Sequence, residues 1–200
     1  MRKLYCIILL LCCLTTAKAQ CEDVYTLVKP NCTFVSFGLG SLINTKVGDY
    51  DFRQNYITYD FSIGTYFDKN FGISANIAFS GNTNGEVRTK LFNIGAELNT
   101  RVTNYYANSA VDLGFNIGVS YGRFDFDDDW IDSEGVNYYV PKVSVDIIFN
   151  ITNDKAFQFI VEPSYRYFIP TETKFYYDDW SEVNSDIGLF GVTGKLKINF

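Results

Sequence analysis

Lys195-Leu196-Lys197-Ile198-Asn199-Phe200 closes the sequence. Leu196, Ile198 and Phe200 alternate with Lys195, Lys197 and Asn199, the period of two that gives a strand one apolar and one polar face. Termini fray, and proteins keep apolar strand edges out of water. A water-soluble chain therefore seldom ends a half-apolar strand on a bare Phe.

The same alternation runs back through the chain, broken by polar clusters. The expected strands fall at about 33–41, 56–67, 71–79, 88–102, 110–122, 138–150, 156–168 and 186–200. The fifth is the clearest, with Val111, Leu113, Phe115, Ile117, Val119 and Tyr121 opposing Asp112, Gly114, Asn116, Gly118 and Ser120. Eight strands of this length match or exceed the roughly 9–11 residues of a tilted membrane strand. An even number suits a closed antiparallel barrel with no edge left over. The connections 42–55, 81–87, 123–137 and 169–185 are generally longer than 68–70, 103–109 and 151–155, as when short turns lie at the end that carries both termini.

Both a soluble ligand-binding barrel and a membrane barrel alternate in this way, with opposite faces turned outward. The polar face here is rich in Gly, Ser, Asn and Thr. It carries a few charges of mixed sign: Asp60, Glu97, Asp112, Asp146 and Glu162 beside Lys142, Arg166, Lys195 and Lys197. That content suits a narrow lumen in which charges pair, so these nine are the candidate lumen network. Ile148, Ile160 and Leu189 also fall on the polar face. Pro163 interrupts a strand paired on both sides, which predicts a bulge there or a one-residue register slip.

Together with the terminal aromatic, this pattern resembles the small eight-stranded outer-membrane β-barrels of the OmpA/OmpX type over residues 33–200. The resemblance implies an all-β, eight-stranded, antiparallel up-and-down transmembrane β-barrel in outer-membrane lipid with periplasmic termini. It implies that Phe200 is part of the signal read by the barrel-assembly machinery. The enzymatic members of such small barrels rely on a His general base, and this chain has no His, so Ser–His and Asp–His catalysis are excluded. The expected role is non-enzymatic, without a cofactor: envelope support or binding of a surface partner through the loops. A small-solute conduit and a soluble exported lipocalin-like barrel are the alternatives.

The N-terminus agrees with export. Arg2 and Lys3 precede the apolar run Leu4–Leu14, and Ala17-Lys18-Ala19 offers a small-residue cleavage site before Gln20, so 1–19 is expected to be a signal peptide. Its removal takes three basic residues, leaving 14 against 23 acidic ones and a net charge of −9, which argues against nucleic acid as a partner. Residues 20–32 would form a short periplasmic lead. Of five cysteines, Cys21 and Cys32 would remain, and an exported chain favours their disulfide.

Two loops are acidic. Asp125, Asp127, Asp129 and Asp132 mark the third long connection, and Asp178 and Asp179 the fourth, with Trp130 and Trp180 beside them. The spacing fails as an EF-hand, since the sixth position from Asp125 is Trp130 and the twelfth is Val136. The readings left are solvated acidic loops, or a divalent-cation or partner site shared between them.

Overall fold

The computed structural model describes residues 32–47, 55–68, 70–82, 88–102, 110–127, 136–152, 155–171, 175–176, 182–183 and 187–200. Ten strands lie among them: β1 (Cys32–Val47), β2 (Asn55–Tyr66), β3 (Phe71–Asn82), β4 (Arg88–Val102), β5 (Val111–Asp127), β6 (Val136–Asn150), β7 (Phe157–Pro170), β8 (Phe175–Tyr176), β9 (Glu182–Val183) and β10 (Ile187–Asn199). Eight close into an antiparallel barrel in the order β1-β10-β7-β6-β5-β4-β3-β2, while β8 and β9 pair only with each other. Each barrel strand thus pairs with its chain neighbour, and β10 returns to β1.

Closure pins the end of the chain. β1 and β10 pair from Phe34↔Asn199 to Val47↔Ile187, with a register shift between Asn44 and Lys46. The Asn199 amide donates to the Ala156 carbonyl at 2.9 Å, and the Phe200 amide to Thr33 at 2.8 Å. Both last residues are therefore held, and no frayed edge forms there. Between β6 and β7 the chain turns through Lys155, whose φ of 57° puts a non-glycine residue in the left-handed region. The Lys155 amide donates to Thr152 O at 3.0 Å and the Phe157 amide to Thr152 Oγ1 at 3.1 Å, which holds that turn.

The apolar face points outward all round the barrel. Phe37, Ile63, Ile94, Ile117, Val145, Phe159 and Leu196 are all exposed. Rings meet across strands on this surface, as in Phe37–Phe61 at 5.0 Å and Phe79–Phe92 at 5.1 Å between centroids. Polar side chains alternate inward, and Thr58, Asn93, Asn116, Gln158 and Thr193 are buried.

Two expectations change here. β7 runs without a bulge or slip at Pro163: the register Ser144↔Ser164 on one side of it and Ile147↔Val161 on the other is unbroken, and Val192↔Pro163 is in line on β10. The proline is accommodated by losing a rung of the β6–β7 ladder. The interior is also less polar than the alternation implied. Leu42, Tyr56, Leu91, Phe124, Tyr138, Val140, Phe168, Ile187 and Leu189 form one buried cluster. All nine sit at the strand ends remote from the termini, under the longer connections. Phe124 is its hub, with Tyr56, Tyr138 and Phe168 edge-on to it at centroid distances of 6.0, 6.0 and 6.2 Å. Ile148 and Ile160 are buried too, so the apolar residues out of step with the polar face fill the lumen.

Phe124→Ala should remove the hub and leave a cavity that the surrounding sheet cannot collapse to fill. A loss of about 3–5 kcal/mol is expected, read as a lowered urea midpoint for the refolded barrel in detergent or lipid.

Candidate functional site

The charges of the lumen lie below the aromatic cluster. Lys142 on β6 sits between two carboxylates, Glu97 at 2.8 Å and Glu162 at 2.9 Å. Glu162 also holds Lys195 of β10 at 2.7 Å. Asn76 donates through Nδ2 to Glu97 Oε1. The chain Glu97–Lys142–Glu162–Lys195 therefore links β4, β6, β7 and β10 with alternating sign. Arg166 of β7 reaches across the lumen to Asp60 of β2 at 2.9 Å. All six charged residues are buried, and removing one member of such a pair strands the other without water.

Glycines make these approaches possible. The register sets Glu97, Gly118 and Lys142 in one row across β4, β5 and β6. A Cβ on Gly118 would lie 2.5 Å from Glu97 Cγ, so the acid's stem occupies the space a side chain would need. Asp60, Gly38 and Lys195 form a second such row, and Arg101, Gly114 and Asp146 a third.

Nearer the termini the lumen holds two further groups. Asp112 accepts from Asn150 Nδ2 at 3.0 Å and Lys155 Nζ at 2.9 Å. Gln158 Oε1 accepts from Arg101 at 2.6 Å and from Asn199 Nδ2 at 3.0 Å. Lys197 Nζ donates to the Tyr66 hydroxyl at 2.8 Å and lies 3.7 Å from the centroid of the Phe34 ring. The Arg101 guanidinium stands 5.0 Å from the Tyr66 centroid, so one tyrosine serves two cations. Asp146 is half-buried and lines a cavity of about 20 Å³ with Phe34, Ser36, Asn99, Lys195 and Lys197, room for about one water.

Of the nine nominated charges, then, Glu97, Lys142, Glu162 and Lys195 meet in one chain, and Asp60 meets Arg166. Asp112 lies apart with Lys155, and Lys197 rests among aromatic rings, where pairing with a nominated opposite charge was expected for both. Arg101 shares the parity of Glu97 and Asn99 on β4 and was legible from that alternation. Lys155 sits in a turn, where no periodic signal exists. Among the loop acids, Asp125 and Asp127 prove to be strand residues, because β5 continues to Asp127. Asp125 faces outward and pairs with Arg123 at 2.7 Å, both about half exposed. Asp129, Asp132, Asp178 and Asp179 lie outside the described residues, as does Cys21. Cys32 is the first residue of β1 and is buried against Phe34 and Tyr66. No group of potential metal ligands occurs among the described residues.

No protein-family model matches the sequence, and neither does any curated protein. Solved structures do match. Neisserial surface protein A has a TM-score of 0.61 at 13% identity, covering 84% of this chain and 96% of its own. Ail, the attachment invasion locus protein of Yersinia pestis, gives 0.55 at 15% identity, covering 85% and 100%. The outer membrane protein OprG of Pseudomonas aeruginosa gives 0.51 at 10% identity, covering 86% and 97%. At these identities the likeness is one of fold: a closed, antiparallel, eight-stranded barrel of the outer-membrane type.

Arg166→Ala should leave Asp60 buried without its partner and cost about 3–5 kcal/mol. Replacing both residues with leucine should recover most of that loss. Urea titration of the two variants would show it, and equal losses in both would contradict the pairing.

Proposed function

We propose that this chain, which has the fold of the small outer-membrane barrels, is an exported, non-enzymatic outer-membrane protein that holds acidic loops at the cell surface. The observation that carries the reading is the inverted polarity of the barrel. Phenylalanine, isoleucine, leucine and valine line its outside, while Lys142, Glu162, Arg166 and Lys195 are buried within. A barrel dissolved in water has the opposite arrangement, and lipid requires this one. Residues 1–19 act as the signal peptide, the periplasmic lead expected over 20–32 ends at residue 31 because Cys32 already belongs to β1, and Phe200 is part of the signal read by the barrel-assembly machinery. Both termini face the periplasm, and the connections at the other end face outward.

A role as a conduit is disfavoured by what fills the lumen. The aromatic cluster around Phe124 lies across one end and the paired charges across the middle, as in other narrow barrels whose interiors side chains occupy. The surface partner is expected to be cationic or to bind through divalent cations, since the loops are acidic and carry Trp130 and Trp180 as aromatic contacts.

One experiment addresses membrane and conduit together. Unheated, folded protein should migrate differently from boiled protein in detergent gel electrophoresis, and in planar bilayers it should give little steady conductance. A single heat-independent band would favour the soluble barrel, and large, stable, ion-selective channels the conduit.

Cys21 and Cys32 are proposed to be joined in the exported protein. Closing so short a loop gives about 3 kcal/mol in the chain-entropy account. Mass spectrometry of unreduced peptides from envelope fractions should find the linked pair, and two free thiols in fresh material would refute it.

A further inference from the structure

We infer that the seam between β6 and β7 is a built-in parting line, the place where the barrel wall opens first. Three independent features converge on it. First, Pro141 and Pro163 lack an amide hydrogen, and the β6–β7 pairing skips 140–141 against 167–168 and 145–146 against 162–163 while the register stays constant. Both prolines pair in line with their other neighbours, Val119 on β5 and Val192 on β10, so both missing rungs fall on one seam. Second, like charges face each other across it. Lys142 pairs directly with Arg166, and the unbroken register sets Asp146 opposite Glu162. Directly opposed like charges destabilise a pair of strands, and these are buried or half-buried. Third, Asp146 and Glu162, which flank Pro163 and the residue opposite it, line a cavity with room for about one water, close to a rung that has lost one of its two donors.

What holds the seam shut on the inside is the ion pair between Lys142 and Glu162, which runs diagonally from β6 to β7 between the two gaps at 2.9 Å. Lys142 is in turn anchored to Glu97 on β4, and Glu162 to Lys195 on β10, so the clasp draws on strands to either side of the seam. The seam is thus a weak ladder closed by a strong side-chain latch. Loss of that latch frees this edge pair ahead of the others. The inference rests on the barrel's geometry and is independent of whether the loops bind a partner.

Amide hydrogen exchange on the full mature protein in bilayer nanodiscs tests it. Amides that donate across this seam, at residues 143, 145, 147, 161 and 165, should exchange at least tenfold faster than those that donate across the β3–β4 seam within 73–77 and 94–98. Pro163→Val returns a donor to the ladder and should bring that ratio toward one. Lys142→Met removes the latch and should raise it. Pro141→Val makes the same test at the upper gap should the first proline variant not fold. Equal exchange on both seams of the unaltered protein would overturn the inference, as would a ratio unmoved by either the proline or the lysine change.

Discussion

A sheet that is apolar on its outside all the way round has one place left for the charges at mid-wall, the lumen, and eight strands make that lumen narrow. The rest of the structure follows from this confinement. A buried lysine without a carboxylate costs far more than an exposed one, so each cation must be placed within reach of a partner. Lys142 meets this by holding Glu97 and Glu162 at once. Arg166 meets it by spanning the lumen to Asp60. Lys197 meets it differently, with a phenol oxygen and the faces of two rings. The interior is a set of individual solutions to one electrostatic demand.

Much of the fold was legible because that demand leaves a period-two trace. Val111 to Tyr121 alternate outward with Asp112 to Ser120 inward, and the strand ends expected from this pattern fall within a few residues of those observed, with β1 and β5 running longer. The aromatic cluster was harder to see. At the loop ends both faces are apolar, so alternation disappears where the lumen is plugged. The trace it leaves is a run of doublets: Leu42-Ile43, Tyr56-Ile57, Leu91-Phe92, Tyr138-Tyr139, Phe168-Ile169 and Leu189-Phe190. In each, one residue is buried and its neighbour is exposed. Ile148, Ile160 and Leu189 were visible as exceptions, and the doublets would have located the layer.

Partner assignments in the lumen were beyond the sequence for a geometric reason. Parity gives the face a side chain occupies, while height in the barrel depends on how the strands are staggered around it. Asp60 and Arg166 are 106 residues apart and on strands that do not touch, yet they are bonded. Asp112 meets Lys155, a residue in a turn with a left-handed backbone conformation that no local pattern announces.

Once the register is known, a simple regularity accounts for the charged interior. Glu97–Gly118–Lys142, Asp60–Gly38–Lys195 and Arg101–Gly114–Asp146 are three rows in which opposite charges flank a glycine on consecutive strands. The glycine does more than leave room. It removes the side chain that would otherwise stand between two charges some 9–10 Å apart across two strand spacings, and long side chains can then lean over it. Glu97 and Lys142 do so directly, whereas Lys195 leans on to Glu162 and leaves Asp60 to Arg166. Two of these rows run on across the seam with the missing rungs, one with Lys142 against Arg166 and one with Asp146 opposite Glu162. Where glycine separates charges the wall is fully laddered. Where charges of one sign abut, it is closed from within by the Lys142–Glu162 pair.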